Sequence, residues 1–109
     1  MSTRFTEDEV IAAVTRLTRP QLIRYIEVAF VRPERAEQGY LFRQVDLARL
    51  ELLCDLSQDL ELDENALHVV IPLLDQLHAA RLDLARLTDT LRALPPDLQD
   101  RIARYTAQR

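Results

Sequence analysis

The chain of 109 residues contains a single glycine, Gly39, and its setting constrains the fold more than any other feature. It lies within FVRPERAEQGYLFRQVDLARLELL, residues 30–53. A turn that requires φ > 0 takes glycine without steric penalty. Pro33 fixes its own φ and biases Arg32 toward extended geometry, which suits a strand entering a turn. Tyr40, Leu41 and Phe42 supply β-favouring bulk on the return side. The pattern predicts two short extended segments around a Gly turn. An amphipathic helix follows over Val45–Leu56, with apolar residues at 47, 50, 53, 54 and 56.

The sequence on either side is helical in pattern, and the scarcity of glycine and aromatics favours an α-rich fold. Thr6 with Glu9 reads as a capping box, and Glu7 and Asp8 suit the positive end of a helix dipole. Val10, Ile11, Val14 and Leu17 give that helix its apolar face. Thr18 with Gln21 is a second capping box, with Pro20 tolerated in the first turn. The expected inner face of this second helix is Leu22, Ile23, Ile26 and Phe30. Arg19, Arg24 and Glu27 lie outside, with Tyr25 beside them. Two short helices joined by a tight turn form a helix-turn-helix, and a β-ribbon after them is its wing. Ser57–Asp63 reads as a loop in which Asp63 caps the next helix.

Ala66, Val70, Leu73, Leu77, Ala80, Leu84, Leu87, Leu91 and Leu94 alternate by fours and threes, a heptad seam of four repeats. Pro72 predicts a kink or break between Val70 and Leu73. From Leu73 to Leu94 the rod spans ~33 Å at ~1.5 Å per residue. A stripe of that length needs a second helix, and the simplest is its own copy in a two-fold dimer. The dimerisation residues expected are Leu73, Leu77, Ala80, Leu84, Leu87, Leu91 and Leu94. Pro95-Pro96-Asp97 ends the helix, and Leu98, Ile102 and Tyr105 mark a short last one. The predicted fold class is mainly α: a winged helix-turn-helix head at 1–62, a kinked long helix of coiled-coil type for dimerisation at 63–94, and a short C-terminal helix at 95–109.

The formal net charge of −4 is unevenly spread. Residues 16–43 hold six arginines against three carboxylates, whereas residues 51–83 hold eight carboxylates and only Arg81. Every one of the 14 basic residues is arginine, which fits bidentate anion recognition or, more simply, a compositional bias. No apolar run approaches the ~20 residues of a membrane span, and the N-terminus lacks the order of a signal peptide. A cytoplasmic protein is expected, with nucleoid association only through a partner. Cys54, the sole cysteine, sits on a helical stripe and reads as a small buried hydrophobe.

No catalytic, cofactor-binding or metal-binding constellation is expected. His68 and His78 are ten residues apart without a cysteine partner, and no Gly-rich phosphate loop or nucleophile motif is present.

Leu17-Thr18 and Arg24-Tyr25-Ile26-Glu27, then Val31-Arg32-Pro33-Glu34-Arg35, Gly39-Tyr40-Leu41-Phe42, Val45-Asp46-Leu47 and Leu50 follow an ordered series. That series resembles the MerR superfamily: a recognition helix, a proline-arginine connection and a tyrosine-bearing wing. Within the superfamily the chain looks closest to the CbpM chaperone-modulator family. That resemblance implies a MerR-like head and a non-enzymatic protein that binds the J-domain of a DnaJ/CbpA-like co-chaperone and inhibits it. Leu41 stands where DNA-binding relatives carry a phosphate-contacting wing arginine, so nucleic-acid binding is expected to be weak or absent. A J-domain presents a basic helix, and Asp55, Asp59, Leu60, Glu61, Leu62, Asp63 and Glu64 form the acidic, leucine-bearing candidate surface for it. The alternative the resemblance implies is a MerR-type DNA-binding transcription regulator that uses Arg19, Arg24, Tyr25, Arg32 and Arg43.

Overall fold

A computed structural model describes residues 3–107. The elements are α1 (Glu7–Ala13), α2 (Arg19–Glu27), β1 (Glu34–Ala36), β2 (Gly39–Leu41), α3 (Gln44–Cys54), α4 (Glu64–Arg92) and α5 (Pro96–Ala107), with a π-helical segment at Asp55–Asp59 after α3. This is a mostly helical chain with one two-stranded antiparallel ribbon, the architecture of a winged helix-turn-helix followed by a long helix. It divides into two compact units, 1–71 and 72–109.

Both predicted capping boxes form. Glu9 N–H donates to Thr6 Oγ1 at 3.2 Å and Thr6 N–H to Glu9 Oε1 at 3.0 Å. Thr18 and Gln21 repeat the exchange at 3.0 and 3.4 Å. Each box satisfies two amides that the first helical turn leaves unpaired. The end of α2 follows a different rule. Phe30 N–H donates to Tyr25 C=O and Ala29 N–H to Ile26 C=O, with Ala29 at φ 61°. That is a Schellman stop with alanine in the left-handed position usually given to glycine.

The wing forms as predicted. Ala36 pairs with Gly39, Arg35 with Tyr40 and Glu34 with Leu41, and Gly39 has φ 124°, a backbone state that side chains rarely adopt. A further pairing was not foreseen: Phe5 and Phe42 exchange both backbone bonds at 2.8 Å, so the segment before α1 joins the ribbon. Phe42 is fully buried there. Val10, Leu22, Val31, Leu50, Leu53 and Cys54 are likewise buried, and so are Leu67 and Ile71 of α4 in the same unit. The apolar stripe predicted for α3 is the buried face observed.

Two local expectations are corrected, and of the kink or break expected at Pro72 the break does not occur. Tyr25 faces inward, 8% exposed, while Ile23 is 45% exposed. The Tyr25 ring lies 6.1 Å from that of Phe30 and its hydroxyl reaches Ser57 Oγ at 3.5 Å, so an amphipathic ring fills the inner face and keeps its polar tip at the rim. Ser57–Asp59 continues α3 as a π-helical turn, and only Leu60–Asp63 is loop. Helical structure is also unbroken across Pro72, so α4 carries proline in its interior. Proline removes one N–H donor, a defect a 29-residue helix tolerates when the turns on both sides hold.

Candidate functional site

In DNA-binding helix-turn-helix proteins the outer face of the second helix enters the groove, and α2 is the corresponding helix here. Its two arginines are already engaged. Arg24 grips Glu64 with one edge of its guanidinium, Nη2 to Oε1 at 2.6 Å and Nε to Oε2 at 3.0 Å, and its Nη1 reaches Glu27 at 3.3 Å. Hydrogen bonding to Glu64 raises the pKa of Arg24, and the same contact lowers that of Glu64. Arg19 donates to Glu7 at 2.9 Å and to Asp8. Arg43 is held by Asp46, Nη2 to Oδ1 at 3.2 Å. Tyr25 is removed from this face by its burial. Of the five DNA-contact candidates, only Arg32 is exposed with no carboxylate partner among the described residues.

The acidic corner is likewise partly occupied. Arg16 donates to Asp59 at 2.8 Å and to Asp55, and this pairing raises its pKa, the Asp59 bond being the larger cause. Glu64 is taken by Arg24, and Asp63 caps α4 by accepting from Ala66 N–H at 2.8 Å. Leu62 is half-buried, whereas Leu60 is 65% exposed and stands beside exposed Glu61, whose φ is 55°. The seven residues proposed for partner binding thus lie along one short stretch, but only Leu60 and Glu61 combine exposure with free chemistry. The engagement by Arg16 went unread because its partners lie 39 and 43 residues away, beyond any helical spacing.

In the second unit the seam leucines are open. Leu73, Leu77, Leu84 and Leu87 are each about half exposed, Ala80 is exposed, and Leu91 and Leu94 are half-buried. A groove of about 500 Å³ lies between Thr88 and Leu91 of α4 and Ile102 and Thr106 of α5. Gln99 holds the corner between them by donating to Leu94 C=O at 2.7 Å and Arg92 C=O at 3.0 Å.

Cys54 is buried and its thiol is pushed up by that burial, which suits an inert packing residue. His68 packs its ring 4.8 Å from Phe30 and sits 3.7 Å from Glu64. Among the described residues no group of three or more His, Cys, Asp or Glu side chains is arranged to hold a metal ion. No described helix is long and apolar enough to cross a membrane. The family described as MerR HTH family regulatory protein matches residues 6–89. Neither a curated protein nor a solved structure matches the chain.

Proposed function

The chain belongs to the MerR HTH family of regulatory proteins, and from that premise we propose that it is a non-enzymatic modulator that binds the J-domain of a DnaJ/CbpA-like co-chaperone and inhibits it. The observation that carries this reading is the state of α2. Arg19 and Arg24 are both committed to carboxylates of the same chain, so the helix that would read a groove offers a phosphate no free cation. Leu41 in the wing adds to it, standing where the resemblance places an arginine in DNA-binding relatives. The partner surface proposed is Leu60 with Glu61, backed by the acidic corner of Asp55 and Asp59. Charge steers a basic helix toward that corner, and the desolvated leucine supplies the anchor. The active form proposed is a homodimer through the α4 seam.

Calorimetric titration of the J-domain tests this directly. The wild-type chain should bind it, and Leu60→Ser with Glu61→Arg should weaken binding by about tenfold or more, the size of a lost anchor. These two positions avoid the Arg16 pairs, and circular dichroism checks that the variant keeps its fold. No binding by the folded wild type would overturn the reading. A second reading, a DNA-binding regulator, is favoured by one observation: Arg32 and Arg35, where the chain enters the wing, have no carboxylate partner among the described residues. Selection of one tight palindromic duplex at physiological salt would promote it.

A further inference from the structure

We propose that Glu7, Asp8, Glu27 and Glu64 are specificity residues that keep duplex nucleic acid off α2, and that neutralising them opens this face to phosphodiester binding. Arg19 and Arg24 remain accessible, their side chains 44% and 54% exposed, so burial is not what withholds them. What withholds them is occupancy. Arg24 spends its Nε–Nη2 edge on Glu64 and its Nη1 on Glu27. Arg19 spends one terminal nitrogen on each of Glu7 and Asp8. A guanidinium recognises a phosphate with the same paired N–H groups, so the two uses exclude each other.

Four carboxylates surround two arginines, leaving the patch net negative where a duplex would approach. They come from three separate elements: α1 gives Glu7 and Asp8, α2 gives Glu27 and α4 gives Glu64. Ordinary helical solvation pairs residues three or four apart and accounts for Glu27 with Arg24, but Glu64 is 40 residues from Arg24 and Glu7 is 12 from Arg19. Exposed ion pairs contribute little to stability, so holding the fold together is a weak reason for this convergence. Asp46 is excluded from the set because it is buried at the start of α3. The proposal shares with the modulator reading only the premise that α2 rejects a duplex; nothing about the J-domain enters it.

The test is fluorescence anisotropy of a short labelled duplex of mixed sequence between about 50 and 200 mM salt. Three proteins are compared: the wild type, the face variant Glu7→Gln, Asp8→Asn, Glu27→Gln, Glu64→Gln, and a control with the same charge change at Glu51→Gln, Asp89→Asn, Asp97→Asn, Asp100→Asn. Circular dichroism checks folding. If the four-site variant unfolds, Glu27→Gln with Glu64→Gln replaces it against the two-site control Asp89→Asn, Asp100→Asn. Each freed arginine should add about 0.9 to the salt slope, so affinity gained by the four-site variant should fall about tenfold across that range. The control should gain much less. Equal gains in face and control variants, no gain in the face variant, or a wild type whose salt slope falls when Arg19 and Arg24 are replaced by glutamine would each overturn the proposal.

Discussion

Replacing Asp46 by alanine removes three heavy atoms' worth of contacts at the point where the wing hands over to α3. The side chain is 4% exposed. Its Oδ2 accepts from Arg43 N–H at 2.8 Å and from Arg43 Nε at 3.3 Å, and Oδ1 accepts from Nη2 at 3.2 Å. Arg43 follows fully buried Phe42, so this carboxylate fixes both the start of α3 and the path of the chain leaving the ribbon. The backbone contact is the reciprocal half of a capping box, worth about 1 kcal/mol. The bonds to the half-exposed guanidinium add about 1–2 kcal/mol after allowance for solvent screening. Asp46→Ala should therefore destabilise the protein by roughly 2–3 kcal/mol, a fall in Tm of about 10–20 °C for a domain of this size. Asp46→Asn keeps an acceptor for the backbone N–H and should lose only about 1 kcal/mol. Urea unfolding followed by circular dichroism, at one fixed protein concentration, measures both. A midpoint for Asp46→Ala within about 0.5 kcal/mol of wild type, or an Asn variant as damaged as the Ala variant, would refute the assignment.

Ala29→Gly should stabilise by about 0.5–1 kcal/mol, because glycine relieves the left-handed strain at φ 61° and returns part of the gain as chain entropy; a loss in thermal denaturation would contradict the Schellman reading. Leu84→Lys with Leu87→Lys should leave monomers in sedimentation equilibrium at concentrations where the wild type is a dimer, since both side chains are more than half exposed along the seam; a monomeric wild type would end that proposal. Glu64 is held below the usual glutamate range first by its bond to Arg24, so its contribution is present above the unfolded value near ~4.3 and is lost as pH falls through the lowered folded value. Glu64→Gln should therefore flatten the acid limb of stability against pH, and superimposable acid limbs would show that the pair contributes nothing.

What was legible in the sequence was what local chemistry decides. Thr6 with Glu9 and Thr18 with Gln21 act within one helical turn, and both boxes formed. Gly39 marked the turn because no other residue takes its φ without strain. The α3 stripe was readable because Leu47, Leu50, Leu53 and Cys54 share one helical period. The failures have a common physical origin in contacts made across the chain. Tyr25 and Ile23 were exchanged because hydropathy alone ranks isoleucine inward, while the ring of Phe30 and the hydroxyl of Ser57 gave the tyrosine a better-satisfied buried site. Ala29 carried no glycine signal, so its left-handed stop could not be read. The pairing of Phe5 with Phe42 depends on a register that appears only once the wing is folded.

The same limit governs the functional reading. Counted along the chain, residues 16–43 are a basic patch suited to phosphate. Folding brings Glu7, Asp8, Asp46, Asp55, Asp59 and Glu64 in from outside that window, and Arg16, Arg19, Arg24 and Arg43 each close on one or two of them. A local charge sum therefore overstates the field at the surface, because a duplex meets the paired groups and not the arginines alone. The cations left over are Arg32 and Arg35, at the entry to the wing rather than on α2. Any nucleic-acid contact the wild-type chain makes should accordingly centre on the wing, and its salt slope should fall when Arg32 and Arg35 are replaced by glutamine but hold when Arg19 and Arg24 are. The reverse order of effects would mean that the α2 pairs open readily in solution.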